Sequence, residues 1–456
     1  MSLSVSSEHL LKDPIPKLIL ALGIPSAVGF FFNTMYNIVD TFVAGKVSPE
    51  ALAGLSLTFP IFFLIIAFGS GVGTGTTSLL SNFIGAGNTD EAKRYAVQAI
   101  SFGFFISIVL TCIGYFSAPY LFSMLSAKGE VLTQALLYMQ PLFLGSIFFS
   151  MSFVFNAILN SVGDTKSYRN VLIAGFFINL VADPVLAFGY VGFPALGILG
   201  ISLATVLSTF VGFVYLAYKV YRTGIMTAHH IQKHFLPERE PYMKIFSQGF
   251  PASLSMMTIA LGSFVITYFV ALFGPDAVAG YGTSIRIEQI FLIPGIGLTI
   301  AVLTLIGHNN GAKRFDRVKE VVAVAIKYSL IMSLVVSLCI YFLGRQLVSL
   351  FTTDENIIAY GVGYLSIAAL ISWAYGIIFV SESSLRGLKH AFFPLIIGIL
   401  RQVVIPLPVF FFVTTLFPGS IKALWWSVFF IVWSGAIATY LYMRSVLKKE
   451  SQAQVV

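Results

Sequence analysis

The sequence alternates long apolar segments with short polar ones, and it does so twelve times. Each apolar segment is long enough to cross a bilayer as a helix, which takes about 20 predominantly apolar residues. The twelve segments cover approximately residues 17–45, 51–84, 92–117, 130–162, 167–190, 197–221, 241–272, 276–307, 318–343, 357–387, 391–414 and 421–446. This pattern predicts an all-α integral membrane protein with twelve transmembrane helices.

The composition excludes a water-soluble globule of this size. Hydrophobic residues make up 57% of the chain, charged residues 10%, and the mean hydropathy is +0.90. The polar surface is therefore too small to face water on all sides. Cys112 and Cys339 lie in apolar runs at no metal-site or disulfide spacing, so we expect packing residues and no redox chemistry.

The amino terminus does not look like a cleavable signal peptide. It carries Glu8 and Asp13, and its first apolar run begins only near Leu18. Signal peptides instead begin with basic residues and have a short apolar core. We expect the first apolar segment to stay in the protein as a membrane span.

The basic residues are distributed unevenly between the two sides of the membrane. Of the 27 Lys and Arg residues, 21 fall in or beside alternate connections on one side and four on the other, while Arg286 and Arg401 lie inside spans. The positive-inside rule places the richer side and both termini in the cytoplasm, so we predict a multi-pass protein of the bacterial inner membrane. Because the net charge of +8 is then a topology signal, nucleic-acid binding has no separate support.

The sequence repeats itself with a period of 226 residues. Gly23 and Pro25 recur as Gly249 and Pro251, and the same offset relates Asp90 to Asp316. Because the offset spans six helices, the halves have the same orientation, which predicts two six-helix bundles related by a pseudo-two-fold axis along the membrane normal. The predicted divisions are an N-lobe at 1–222, a cytoplasmic linker at 223–240 and a C-lobe at 241–456.

Duplicated six-helix halves are typical of transporters that work by alternating access. No HExxH, GxSxG or phosphate-loop pattern occurs, so the sequence does not indicate an enzyme. The histidines lie in or near predicted cytoplasmic regions. His229, His230 and His234 could bind a metal, although a solvated linker explains them more simply.

Several short motifs resemble those of one transporter family along nearly the whole chain. In order they are GIPSAVGFFFNTMYNIVDTFVAG, PEALAGLS, NFIGAGNTDEAKR, NAILNSVGDTKSYR, NxxxDP from Asn179 to Pro184, GISLAT near Thr205, and SSLRGLKHAFFP at 383–394. Each motif alone is weak, but their order and the repeat make the match specific. The sequence is similar to the multidrug and toxic compound extrusion (MATE) transporters.

This resemblance implies two lobes around a V-shaped cleft and the export of drugs and metabolites in exchange for inward H⁺ or Na⁺ flow. The expected partners are small organic, often cationic substrates and the lipid bilayer. The expected protein is no enzyme, carries no cofactor beyond the coupling ion, and is a monomer.

Asp40 is the first candidate for the coupling residue. A carboxylate within an apolar membrane helix is costly and is rarely kept without a function. Asn33, Tyr36 and Asn37 precede it by seven, four and three residues, so the four lie along one polar stripe of the helix. A hydrogen-bonded packing acid is the alternative interpretation. The repeat position holds Ile266, so the acid belongs to the amino-terminal half alone.

Asp183 is the second candidate acid. Asn179 lies one helical turn earlier on the same face, and Pro184 leaves the carbonyl of Leu180 without its usual donor. The family resemblance implies that a proton or Na⁺ binds to a polar cluster formed by Asp40, Asn156, Asn179, Asp183 and Thr205, with Asp40, Asn179 and Asp183 as the candidate Na⁺ ligands. A capping or hinge role is the alternative, especially for Asn156 and Thr205.

The predicted substrate-binding residues also lie on the first span. Met35 and Tyr36, near Phe31, would let flat apolar cations stack, and we place Asn33 and Asn37 in the same set. At helical spacing such residues are also common in ordinary packing. A flippase for lipid-linked sugars, or an exporter of another specific metabolite, is the alternative, although only Arg286 and Arg401 could bind a pyrophosphate within the spans.

Two further features refine the hypothesis. Spans 7 and 10 lack the acids of the NorM-like branch, which favours the DinF-like branch with proton coupling confined to the amino-terminal half. Of the membrane charges, Glu288 and Arg286 are two residues apart and do not share a helix face. Either could pair with Arg401 or Glu382 on other helices, and structural ion pairing is the favoured interpretation.

Pro25 is the predicted hinge. It interrupts the first span about four turns from Asp40 and frees the carbonyl of Ala21, so protonation of Asp40 could be coupled to bending there. Pro251 occupies the repeat position, so a shared structural kink is an equally good explanation.

Overall fold

The computed structural model describes residues 3–226 and 228–452, without the side chains of residues 3–7 and 228. Within that part the chain is helical, with no β-strand. Eleven described helices are long and apolar enough to cross a membrane, and a bent helix pair supplies a twelfth span. The predicted fold class and the predicted spans are thereby confirmed. The outermost residues of the two predicted lobes, 1–2 and 453–456, lie outside the described residues, as does linker residue 227.

The helices of the amino-terminal half follow the predicted order, after one short helix that the hydropathy pattern did not indicate. They are α1 (Leu3–Lys12), α2 (Ile15–Val47), α3 (Pro49–Gly85), α4 (Thr89–Met124), α5 (Gly129–Leu144), α6 (Ser146–Ser161), α7 (Lys166–Phe188) and α8 (Ile198–Arg222). Polar caps fix two of the starts: Ser48 Oγ accepts from the amide of Ala51 at 3.0 Å, and Asn88 Oδ1 accepts from the amide of Glu91 at 3.3 Å.

The carboxyl-terminal half repeats this arrangement after a short linker helix. Its helices are α9 (Ala228–His234), α10 (Arg239–Ala271), α11 (Pro275–Gly311), α12 (Phe315–Ser349), α13 (Glu355–Gly387), α14 (Phe392–Ile399), α15 (Pro406–Leu416) and α16 (Ile421–Gln452). A π-helical segment, Leu400–Val404, joins α14 to α15, and together the three form one span.

The predicted fourth span is broken rather than continuous. It consists of α5 and α6, which meet at Gly145 with a bend of 50°. Pro141 has no amide hydrogen to donate, and its ring disturbs the preceding turn. Gly145 also packs closely on α8, where a Cβ atom would meet the Val206 side chain at 3.0 Å. The proline and the close approach together account for the bend.

Two compact units exchange the beginnings of their first helices. Unit 1 comprises Met1–Leu10 and Val28–Ser253, and unit 2 comprises Leu11–Ala27 and Leu254–Val456. The packing therefore differs from the predicted lobes, because the first part of α2 packs with unit 2 and the first part of α10 packs with unit 1. The unit changes at Val28 in α2 and at Leu254 in α10, in each case three residues after a proline, Pro25 and Pro251.

The linker is anchored on the first turns of α4, within unit 1. Gln98 Nε2 donates to the backbone oxygens of His234 and Leu236 at 2.5 and 2.8 Å, and Arg94 Nε donates to Glu238 at 2.7 Å. Burial raises the pKa of the Glu238 carboxyl, but hydrogen bonds from Arg94 and His234 outweigh that effect and hold the pKa below its usual value. The linker end at Glu238 is thus a fixed part of unit 1.

Candidate functional site

Asp40 lies near the end of α2, where its side chain is buried in unit 1. The hydroxyl groups of Tyr138 on α5 and Thr205 on α8 each lie 3.3 Å from its Oδ2 atom, in position to donate hydrogen bonds. Oδ1 has no partner within the described chain. The acid is therefore held by neutral donors from two other helices, and its charge is not cancelled by a cation.

Asp183 on α7 is fully buried, and its carboxyl group lies close to that of Asp40. Neither of its oxygens has a donor among the residues that the structure describes. Two neighbouring carboxylates without a cation cannot both be charged cheaply in a low-dielectric interior. The pair is thus suited to hold a proton or another small cation.

Asn179 joins this pair to α8. Its Nδ2 donates to Ser208 Oγ at 3.0 Å and to the backbone oxygen of Gly175 at 3.3 Å, while Ser208 Oγ donates to the backbone oxygen of Thr205 at 3.0 Å. The amide oxygen of Asn179 has no donor in the described chain. With Asp40 Oδ1 and both oxygens of Asp183, the site has four buried oxygens free to bind a cation.

The first and fifth spans adjoin, as the family resemblance implied. The rings of Phe32 on α2 and Phe176 on α7 pack edge to face with centroids 5.5 Å apart. Gly29 approaches α7 so closely that a Cβ atom would meet Leu172 Cδ1 at 3.0 Å and Arg169 Cα at 3.2 Å. This packing brings Asp40 and Asp183 together.

Four of the five predicted coupling residues, Asp40, Asn179, Asp183 and Thr205, are thus neighbours. The fifth, Asn156, lies on α6 with a buried amide oxygen that has no donor in the described chain. No hydrogen bond described here joins it to the other four. Among residues 3–226 and 228–452, no three His, Cys, Asp or Glu side chains are grouped as a metal site.

The predicted substrate-binding residues are divided by the structure. The phenol of Tyr36 lies beside Thr205 and Ser208, so it belongs to the polar cluster. Asn37 is exposed, and its amide donates to the backbone oxygen of Asn33 at 2.8 Å along its own helix. Met35 and Asn33 are partly buried. A role in substrate binding stays a prediction for all four.

The predicted hinge lies within a continuous helix. Pro25 is inside α2, and Ser26 Oγ donates to the backbone oxygen of Leu22 at 2.9 Å. Gly23 on the same turn packs against α11, where a Cβ atom would meet the backbone oxygen of Gly297 at 3.5 Å. The change from unit 2 to unit 1 follows at Val28, and the hinge role of Pro25 stays a prediction.

The expected ion pairing among the four membrane charges does not occur. Glu382 pairs with Arg386 at 3.0 Å, one turn along the same helix, and Arg286 is exposed. Glu288 accepts a hydrogen bond from Tyr364 at 2.8 Å, and the guanidinium group of Arg401 lies over the Tyr375 ring, 5.6 Å from its centroid. No two of these four charges form an ion pair in the described part of the chain. The expectation of pairing was wrong because it rested on charge alone, whereas Glu288 and Arg401 each have an aromatic side chain as their neighbour.

Tyr138 and Ser208 contribute to the cluster but were not predicted from the sequence. The repeat does contain a signal for the tyrosine, because Tyr364 lies 226 residues after Tyr138. In the structure each of these tyrosines donates to a buried or partly buried acid of its own unit. The acids themselves are not repeat equivalents. Asp40 is on α2, whereas Glu288 is on α11, so the shared donor serves carboxylates that come from different helices.

Comparison with known proteins identifies the family. The MatE profile matches residues 25–185 and 251–412, and the two matches begin at the two repeat-related prolines. The "FAD transporter" of Shewanella oneidensis is 28% identical over 88% of this chain and 88% of its own length. The "Probable multidrug resistance protein NorM" of Thermotoga maritima is 26% identical over 98% of this chain and 95% of its own.

A solved structure shares the whole fold. The "Crystal structure of MATE in complex with MaL6" covers 97% of this chain and 99% of its own, with a TM-score of 0.90 and 25% sequence identity. The profile match spans both halves, and the named relatives are transporters. The chain belongs to the MatE family and is a multi-pass membrane transporter, not an enzyme.

Proposed function

We propose that this transporter exports small, often cationic organic compounds in exchange for inward proton movement, with coupling at Asp40 and Asp183. The observation that carries the proposal is the group of four buried oxygens without donors, on Asp40, Asn179 and Asp183. A buried acceptor without a donor costs free energy. A bound proton or cation removes that cost, so occupancy of the site changes the stability of the local packing.

The same contacts give a mechanism. Protonation of the Asp40 and Asp183 pair supplies the missing donor between the carboxyl groups and removes a buried charge. The hydroxyl groups of Tyr138 and Thr205, which point at Asp40 Oδ2, stabilise its ionised form and lose part of that interaction on protonation. Because these hydroxyls belong to α5 and α8, a change at Asp40 alters the contacts of three helices.

The driving force for this exchange is sufficient for export against a concentration gradient. One charge moving down the membrane potential supplies about 2.3 kcal/mol per 100 mV, before any pH difference is counted. Proton uptake is coupled to substrate release when the proton and the substrate compete for neighbouring side chains on α2. Tyr36 supports such competition, because it lies beside Thr205 and is also a predicted substrate-binding residue.

Sodium is the alternative coupling ion. Carboxylate and amide oxygens are ligands for hard cations, and four free oxygens supply most of a coordination shell. Protons are preferred here because spans 7 and 10 lack the acids expected of the NorM-like branch, which favours the DinF-like branch. The location in the bacterial inner membrane, with cytoplasmic termini and a monomeric state, is part of the same proposal.

Export of a specific metabolite is the second candidate function. It is favoured by the 28% identity to a relative named as an FAD transporter, and by the presence of a buried arginine, Arg401, in unit 2. A purely cationic drug has no anionic group to pair with that arginine. An anionic or zwitterionic metabolite has one.

Reconstitution with separately imposed gradients tests the proposal. Proteoliposomes that contain the full chain are loaded with a fluorescent organic cation, and an inward H⁺ gradient or an inward Na⁺ gradient is then applied. The proposal predicts substrate movement driven by the pH gradient at zero Na⁺. Movement driven by Na⁺ alone would replace the proton by Na⁺, and movement with neither gradient would contradict coupled transport.

A further inference from the structure

A polar cavity lies inside unit 2, and its lining contains no residue of the acid cluster of unit 1. Its volume is about 190 Å³, and its polar lining includes Glu288, Gln289, Tyr364, Tyr375, Arg401 and Gln402. Ile266, the repeat equivalent of Asp40, and Tyr364, the equivalent of Tyr138, both face it. The cavity thus occupies in unit 2 the position that the acid cluster occupies in unit 1, with different chemistry.

Arg401 is built into this cavity. It belongs to the π-helical segment Leu400–Val404, and a π-helical turn inside a helix is often found at functional sites. Gly435 makes room for its stem, because a Cβ atom there would lie 2.7 Å from Arg401 Cδ. The side chain is only 8% exposed, yet its Nε and Nη1 atoms have no hydrogen-bond partner in the described chain. A buried guanidinium with free donors is costly unless a ligand or water pairs with it.

Glu288 supplies the opposite charge in the lining of the same cavity. Tyr364 donates to its Oε2 atom at 2.8 Å, and Tyr375, whose ring lies under the Arg401 guanidinium, lines the same cavity. Glu288 and Arg401 form no ion pair with each other. Two unlike charges that share a low-dielectric cavity without pairing each lack a counter-charge. A molecule that carries charges of both signs would supply both.

We propose that the cavity of unit 2 binds a zwitterionic aromatic compound, whose carboxylate pairs with Arg401 and whose ammonium group pairs with Glu288. This deepens the proposed function by naming a substrate class, and it rests on that function only for the step of transport, since binding is measurable alone. The planar guanidinium suits a carboxylate, which it can hold with two parallel hydrogen bonds. Tyr281, Tyr364 and Phe410 supply aromatic walls for a ring.

Equilibrium binding to the full chain in lipid nanodiscs tests this assignment. Three probes share one ring: para-(aminomethyl)benzoate carries both charges, para-methylbenzoate only the carboxylate, and benzylamine only the ammonium group. We expect the zwitterion to bind roughly tenfold or more tightly than either single-charge probe in calorimetry. Equal affinity for all three, or no binding of the zwitterion, would overturn the proposal and leave water as the occupant of the cavity.

Variants identify the charges responsible. Arg401→Gln should abolish the advantage of the zwitterion over benzylamine, and Glu288→Gln should abolish its advantage over para-methylbenzoate. Arg401→Lys keeps the charge and should retain part of the preference, which guards against a misfolded Arg401→Gln protein. Arg286→Gln is the matched control, because Arg286 is exposed on the same helix as Glu288 and does not line the cavity. A loss of affinity in the control equal to that in Arg401→Gln would contradict the assignment.

The same titration with Asp40→Asn separates this inference from the coupling proposal. Asp40 lies in unit 1, so the zwitterion should bind that variant with unchanged affinity. If Asp40→Asn transports normally while the probe still binds through Arg401, the coupling site is wrong and the cavity assignment stands. If coupling is confirmed and the Arg401 variants bind normally, only the cavity assignment fails.

Discussion

The hydroxyl group of Tyr138 lies 3.3 Å from Asp40 Oδ2 and links α5 to the acid on α2. The phenol is a neutral donor, so it stabilises the ionised carboxylate without cancelling its charge. It therefore supports an acid that can take up and release a proton, whereas a lysine or arginine in its place would fix Asp40 in the charged form.

Replacing Tyr138 by phenylalanine removes this donor and keeps the ring. We expect efflux to slow by roughly two- to tenfold, which corresponds to one ordinary hydrogen bond. Because the ionised acid loses a donor, the pH at which efflux is half-maximal should move upward. Initial efflux rates over a pH series measure both effects. Tyr120→Phe, at an exposed position in unit 1, is the control and should leave rate and pH profile unchanged.

Asp183→Asn tests whether the two acids act as one site. The asparagine keeps the size of the side chain but cannot share a proton with Asp40 in the same way, so gradient-driven efflux should be lost almost as fully as with Asp40→Asn. Glu382→Gln is the matched acid-to-amide control, because Glu382 pairs with Arg386 at 3.0 Å, and it should retain much more activity. Normal efflux by Asp183→Asn would remove this residue from the coupling site.

Pro25→Ala tests the hinge. Alanine restores an amide donor inside α2 and should stiffen the helix just before it passes from unit 2 to unit 1. We expect a folded protein at normal abundance that exports more slowly. Export at the wild-type rate would mean that Pro25 serves only the packing of the helix.

A cysteine label at Lys233 tests the topology. Lys233 is exposed on α9, while the nearby linker end is fixed to α4 through Glu238 and Arg94. In a variant whose native cysteines are replaced, an impermeant thiol reagent should label Lys233→Cys only in inverted vesicles. Labelling of intact cells would reverse the orientation that the positive-inside rule predicts.

The sequence predicts the spans and the acid pair because both depend on local patterns. Apolar length identifies the membrane helices, and an isolated acid in such a helix is conspicuous, so Asp40 and Asp183 were identified before their proximity was known. The repeat supplied the division into two related halves. The structure has the predicted number of spans and brings the two acids together, whereas its packing units exchange the beginnings of α2 and α10.

Other features depend on long-range packing and were beyond the sequence. The break at Gly145 needs the neighbouring α8 as well as Pro141, and the exchange of helix beginnings between units needs knowledge of what each helix packs against. The partners of Glu288 and Arg401 were misjudged for the same reason. The Tyr364 hydroxyl contacts Glu288 and the Tyr375 ring lies beside Arg401, each from another helix, and no sequence spacing encodes these contacts.

Asp40 is the proposed coupling residue, so the deciding measurement is proton-driven efflux by Asp40→Asn in proteoliposomes of matched protein content. The asparagine preserves the size of the side chain and can still accept from Tyr138 and Thr205, so the protein should fold and reach normal abundance. Because the side chain can no longer bind and release a proton, efflux driven by an imposed pH gradient should disappear. Full proton-coupled efflux at wild-type abundance would show that the coupling site lies elsewhere in the protein.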